Sequence, residues 1–161
     1  MSSPSSTPAA EPSAKTLGSV TPFNIAGTWK LIAWCRIHDG KNVTYPLGRN
    51  ATGLLIYTAD HKVATQIIAT HRHSIDSEDP LDGGVEQRAA AYSTCFAYFG
   101  SYEVNGDVIT HQVDASLYPN WSGTVQARPF SFDGKTLVLR TPPEQTPEGT
   151  VVNELSWVRA P

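Results

Sequence analysis

The side chains best able to do chemistry in this chain fall on faces that are otherwise apolar. In the run 107–117, Ile109, Val113, Ala115 and Leu117 stand at alternate positions, and His111 shares their parity. A histidine so placed serves in one of two ways. It is a core residue whose ring nitrogens meet a hydroxyl or a carbonyl, or it contacts a ligand and moves a proton, since imidazole is the side chain most easily tuned near neutral pH. In the run 123–132, Gln126, Arg128, Phe130 and Phe132 share a face. The two aromatics mark it as inward, which carries Arg128 inward as well. A buried guanidinium needs a partner. Glu154 or Asp114 could supply one, the head could reach water at a rim, or a ligand carboxylate or enolate could complete it.

Tyr98 and Tyr102 alternate with Glu103, which belongs in water, so both tyrosines face in. Each offers an apolar body and one hydroxyl, suited to a pocket wall or to ordinary aromatic packing. Gly100 between them leaves room for a ligand to approach the backbone. The linker Tyr118-Pro119-Asn120-Trp121-Ser122-Gly123 is too aromatic for a plain solvated loop, and Trp121 is expected to fold over one end of the domain as a cap or a lid. Tyr57 and Gln66 are further candidates for the wall.

The parts that other chemistries require are missing. The sequence has no Gly-rich phosphate loop, no G-x-S-x-G elbow and no C-x-x-C pair. Cys35 and Cys95 are expected to be buried thiols that pack as small apolar groups. His71-x-His73, followed by Asp76, Glu78 and Asp79, has donors for a divalent ion, but so polar a stretch reads as a solvated loop. No metal and no cofactor is expected, so any reaction must rely on shape, hydrogen bonds and acid–base groups.

These side chains must be positioned by strands. Short β-prone runs separated by turn residues cover 27–37, 53–58, 62–70, 96–104, 107–117, 123–132, 135–141 and 150–159, with a short extended piece at 42–45 and a loop at 142–149. Asn105-Gly106 and Asp133-Gly134 are hairpin signals. Residues 85–95 carry a run of good helix formers and predict one short helix across a mouth or along the side, or else a lid. Eight strands joined mainly by hairpins, without βαβ alternation, form a barrel or a sandwich. Closure removes the edges that long strands would otherwise expose, and an eight-stranded barrel holds side chains or one small ligand. Residues 1–22, rich in Ser, Pro and Ala, predict a disordered tail ahead of a single domain, 23–161.

The formal net charge of −3, with no basic run, argues against nucleic acid and against an anionic membrane surface as partners. No apolar stretch is long enough to span a bilayer, and the first 21 residues lack the apolar centre of a secretory signal. A cytoplasmic protein is expected.

Gly27-Thr28-Trp29-Lys30-Leu31 resembles the G-x-W opening strand of lipocalins, and Arg159 stands where that superfamily places a basic residue over the tryptophan. Pro46-Leu47-Gly48, the run 53–60, the run 97–104, Thr110-His111 and the run 119–124 resemble the lipocalin-like domain family of bacteria and fungal biosynthetic gene clusters. The resemblance covers residues 25–159. It implies an all-β, eight-stranded antiparallel barrel around a small hydrophobic ligand. Some fungal relatives look like cofactor-free cyclases or pericyclases of polyketide or terpenoid intermediates.

Three roles follow. As an enzyme, the barrel folds a reactive intermediate while His111 or Tyr102 moves a proton, or Arg128 and Gln126 polarise a carbonyl; Tyr57, Gln66, Tyr98, Trp121 and Phe130 hold the substrate. As a carrier, it uses the same cavity and leaves the cargo unchanged. As a filled barrel, its interior taken up by Tyr98, Tyr102, Phe130, Phe132, Trp157 and Trp29, it has no room for either.

Overall fold

The computed structural model of the chain describes residues 23–147 and 149–161; the expected tail, residues 1–22, lies outside the described residues. The strands are β1 (Gly27–His38), β2 (Asn42–Thr44), β3 (Thr52–Tyr57), β4 (Lys62–Ile68), β5 (Cys95–Asn105), β6 (Val108–Ser116), β7 (Val125–Phe132), β8 (Thr136–Arg140), β9 (Glu144–Thr146) and β10 (Gly149–Arg159). One helix, α1 (Val85–Ser93), joins β4 to β5, and a single 3-10 turn at Pro119–Trp121 joins β6 to β7. All pairings are antiparallel, and β1 pairs with β10, which closes the ring β1-β3-β4-β5-β6-β7-β8-β10. This is the expected eight-stranded barrel. The expected loop at 142–149 instead contains β9, a short flap paired to the start of β10.

One end of the barrel is sealed. Trp29 is fully buried and donates its indole N–H to the Ile25 carbonyl at 2.9 Å. The Arg159 guanidinium carbon lies 4.3 Å from the Trp29 ring centroid, and the guanidinium donates to the Ala26 and Asn24 carbonyls. Phe23 stacks on Phe132 at 4.2 Å and abuts Trp29 and Phe130 at 6.1 and 6.0 Å. Apolar burial and satisfied donors together make this end a plug.

Two β-bulges change which residues face inward halfway along the barrel. Leu31 pairs with Trp157 and Ala33 with Ser156, so Ile32 is an extra residue and bulges outward, half exposed. Beyond it, Trp34 faces in, where strict alternation from Trp29 would place Ala33 and Cys35. On the other side, Gly100 pairs with Val113 and Phe99 with Ala115, which leaves Asp114 extra. A bulge inserts one residue and reverses the phase of everything after it. Ala115 and Leu117 therefore do not continue the face of His111; Ala115 lies across from the exposed Phe99, and Leu117 is itself exposed. Gly100 is required at this point. A Cβ there would overlap the Gln112 carbonyl oxygen, so backbone fills the space that the sequence offered to a ligand.

The hairpin at 105–108 also sits one residue later than its sequence signal. Asn105 pairs with Val108, so the turn residues are Gly106 and Asp107, and only Gly106 has positive φ, at 61°. At 133–135 the Asp133 carboxylate accepts from the Lys135 and Thr136 backbone N–H groups at 2.9 and 2.7 Å.

The connection 69–94 leaves and re-enters at the end opposite the plug. Its helix starts at Gly84, whose N–H donates to the Gln87 side chain at 3.3 Å. Arg72 fixes the far end by donating to Thr94 Oγ1 and the Ala91 carbonyl. No residue of α1 is buried, so the helix lies on the outside of the barrel. Among the described residues no three His, Cys, Asp or Glu side chains come together as a metal site. Cys35 and Cys95 are free and half-buried rather than core residues. No described helix is long and apolar enough to cross a membrane.

Candidate functional site

The barrel holds a cavity of about 390 Å³ at the end away from the plug. Its walls come from β1, β3, β4, β5, β7, β8 and β10, and include Trp34, Leu55, Ile67, Phe96, Tyr98, Trp121, Leu139, Leu155 and Trp157. The aromatic rings brace one another: Trp34 to Phe96 at 5.4 Å, Phe96 to Trp121 at 5.3 Å and Tyr98 to Trp121 at 5.9 Å. Volume and lining match a small-molecule site, apolar with a few convergent polar groups.

Two of those polar groups, Arg128 and the Trp157 indole, can only donate. Arg128, on β7, is 5 % exposed, and its Nη1 donates to its neighbour's carbonyl, Ala127, at 2.8 Å. Its guanidinium carbon lies 5.3 Å from the Trp121 ring centroid. No carboxylate pairs with it among the described residues: Glu154 is taken by Arg140 at 2.9 Å, and Asp114 is exposed at the bulge. Both expected structural partners of Arg128 are therefore excluded. The Trp157 indole N–H is buried with no acceptor among the described residues. Gln126 donates to Thr124 Oγ1 at 2.9 Å, and the Asn153 side-chain oxygen accepts from Trp34 at 3.0 Å. Glu144, on the β9 flap, stands exposed at the rim.

Behind Tyr98 lies a chain of three rings. The Tyr98 hydroxyl is 2.7 Å from His111 Nδ1, and the Tyr57 hydroxyl is 2.7 Å from His111 Nε2. His111 is fully buried and does not line the cavity. Burial, aided by the nearby Arg128 charge, lowers its pKa from 6.5 to about 3, so the imidazole is neutral at physiological pH. Burial likewise raises the Tyr57 phenol well above its ordinary value, and raises that of Tyr98 against the charge of Arg128 and the hydrogen bond that Arg128 gives its hydroxyl oxygen. A neutral imidazole between two phenols is the core arrangement that the apolar face of β6 allowed.

Of the candidates read from the sequence, Tyr98, Trp121, Gln126 and Arg128 meet at the cavity, and His111 and Tyr57 reach it only through Tyr98. Three do not meet it. Gln66 is exposed on the outer surface, because β4 turns Val63, Thr65 and Ile67 inward. Phe130 packs toward the plug beside Phe23. Tyr102 donates its hydroxyl to the Thr58 carbonyl at 3.0 Å, near the plugged end, and does not line the cavity.

Sequence reasoning missed Trp34, Phe96 and Asn153, and had Trp157 only as a ring filling the interior. Phe96 was within reach, being two residues before Tyr98 on the same face. Trp34 was hidden by the Ile32 bulge, and the donor role of Trp157 depends on which way its ring is turned.

Neither a curated protein nor a solved structure matches this chain. The family model described as a lipocalin-like domain matches residues 26–160, from just before the Trp29 strand to just past Arg159. With the closed eight-stranded barrel, the arginine-capped tryptophan and a cavity opposite it, the chain belongs to the lipocalin-like domain family.

Proposed function

We propose that the cavity binds a small hydrophobic metabolite through a carbonyl or anionic oxygen. We further propose that Arg128 polarises that oxygen for a cofactor-free cyclisation, isomerisation or pericyclic step in secondary-metabolite biosynthesis, of the polyketide or terpenoid kind. The observation that carries this is Arg128 itself: a buried cation lining an apolar cavity, with no carboxylate partner among the described residues. Burying a charge without a counter-charge is costly, so an incoming oxygen that bears negative charge is strongly favoured. Fixed donors in a water-poor site stabilise charge that develops on such an oxygen. The ring of Trp34, Phe96, Trp121 and Trp157 holds an apolar body in one folded shape, which lowers the entropic part of a cyclisation barrier.

In this reading Arg128 contacts the substrate and Tyr98 joins it in place of Tyr102. His111, neutral and away from the cavity, acts through Tyr98 rather than as a general base. A carrier role is the second reading, favoured by the lack, among the described residues lining the cavity, of any base deep inside it to accept a proton. A cytoplasmic setting fits either.

Native mass spectrometry of the protein incubated with a metabolite extract of its source organism tests both. A bound molecule released in altered form supports catalysis, and one released unchanged supports a carrier. Either way, capture falls at least ten-fold in Arg128→Met. Equal capture by Arg128→Met sinks the assignment of the oxygen to Arg128.

A further inference from the structure

We infer that Tyr98 points its hydroxyl hydrogen into the cavity as a fixed donor beside Arg128, its direction set by Tyr57 through a neutral His111 protonated on Nδ1. This deepens the proposed function and rests on that reading only for the identity of the acceptor.

The direction follows from counting hydrogens. The Tyr57 hydroxyl is buried, lies outside the cavity wall, and has one hydrogen-bond partner among the described residues, His111 Nε2 at 2.7 Å. Its hydrogen must go to that nitrogen, or it is buried unpaired at a cost of about 1–3 kcal/mol. Nε2 is then an acceptor and carries no hydrogen. A neutral imidazole carries one, so it sits on Nδ1 and is donated to the Tyr98 oxygen at 2.7 Å. The Tyr98 hydroxyl therefore cannot donate back to His111, nor to Arg128, which hydrogen-bonds the same oxygen and has only N–H groups to offer. Tyr98 alone of the three lines the cavity, so its hydrogen has the cavity to point into.

The reverse arrangement leaves the Tyr57 hydrogen orphaned, and so does a doubly protonated His111. A protonated His111 would also place a second buried cation beside Arg128.

The chain holds a proton in place and does not shuttle it. Were Tyr98 to give its proton to the ligand, Nδ1–H would move to Tyr98 and the Tyr57 proton to Nε2. Tyr57 would be left as a phenolate, fully buried, where burial already holds its phenol well above the ordinary range. Tyr98 thus supplies a hydrogen bond, and Tyr57 and His111 are positioning residues. A ligand meets two kinds of donor at one place, a guanidinium and a phenol. That pair suits a single oxyanion, such as a carboxylate, an enolate or a phenolate on an aromatic or polycyclic body.

Long-range proton–nitrogen NMR of the protein labelled with nitrogen-15 histidine reads the tautomer without a ligand. The expected spectrum has His111 neutral with its hydrogen on Nδ1, unchanged from pH 5.5 to 8. In Tyr57→Phe, which removes the donor that fixes the tautomer, hydrogen is expected to appear on Nε2 as well and both ring nitrogen signals move; a tautomer unchanged in this variant overturns the role given to Tyr57. In the unsubstituted protein, hydrogen on Nε2, or a charged ring in this range, overturns the inference while leaving the cavity reading intact.

A second measurement uses 2-naphthoate and its neutral amide as probes, followed by tryptophan fluorescence. Tyr98→Phe is expected to weaken the acid about ten-fold or more and the amide much less. An equal effect on both probes, or no binding of the acid to the unsubstituted protein, overturns the donor role of Tyr98 even if the tautomer is as stated.

Discussion

Each end of this barrel pairs an arginine with a tryptophan, and the two pairs have opposite fates. At the plug, Arg159 lies 4.3 Å from the Trp29 ring and spends its N–H groups on the Ala26 and Asn24 carbonyls. At the cavity, Arg128 lies 5.3 Å from the Trp121 ring and gives one hydrogen bond to its neighbour's carbonyl and one to the Tyr98 hydroxyl oxygen. The first pair is finished by its own chain. The second keeps donors in reserve, inside an apolar cavity, where each is worth more than in water. The same two residue types make a seal or a receptor according to whether local carbonyls satisfy the guanidinium.

The contrast is sharpest for the tryptophans. Trp29→Ala removes a fully buried ring and is expected to cost about 3–5 kcal/mol of unfolding free energy. Trp121→Ala, at a half-buried ring, is expected to cost about 1 kcal/mol while weakening 2-naphthoate. Urea unfolding of both variants measures the difference, and equal losses would erase the distinction between plug and cavity.

His111 sits between the two ends and makes stability depend on pH. Its folded pKa is near 3 and its unfolded value near 6.5, so between these the unfolded chain binds the extra proton. The stability is fully present above pH 6.5 and is lost as pH falls toward 3, by up to about 1.4 kcal/mol per pH unit. Urea midpoints across that range should flatten in His111→Gln. An unchanged slope would show that other groups set the acid limit.

The smallest expected effect on stability is at the arginines. Arg159→Met should cost about 1 kcal/mol and leave probe binding alone. Arg128→Met should be within about 1 kcal/mol of neutral, since an apolar isostere relieves a buried charge, and should weaken 2-naphthoate more than about ten-fold. A strongly destabilised Arg128→Met would mean that this arginine, too, is finished by its own chain.

Much of this was legible in the sequence. Alternation along single strands identified His111, Arg128, Gln126 and Tyr98 as inward, and turn residues delimited the strands of the ring. Legibility failed where alternation does not carry the information. The phase of β4 could not be fixed from Val63-Ala64-Thr65-Gln66-Ile67, whose polar residues are spread over both parities, so Gln66 was misplaced. The bulges at Ile32 and Asp114 reverse phase without a sequence marker except Gly100, whose missing side chain looked like room for a ligand. Tyr102 and Tyr98 share a face but stand at different depths, and depth depends on how the strands stagger around the ring.

Those two bulges also bear on how such a chain can diverge. Because the inward parity of β1 and β6 is reset midway, each strand answers to two separate sets of constraints, one for the seal and one for the receptive wall. Replacements at Trp34, Phe96 or Gln126 can reshape the guest that fits without disturbing the packing of Trp29, Phe23 and Phe132. A lineage can therefore exchange one cargo for another by point substitution while inheriting its folding stability nearly unchanged.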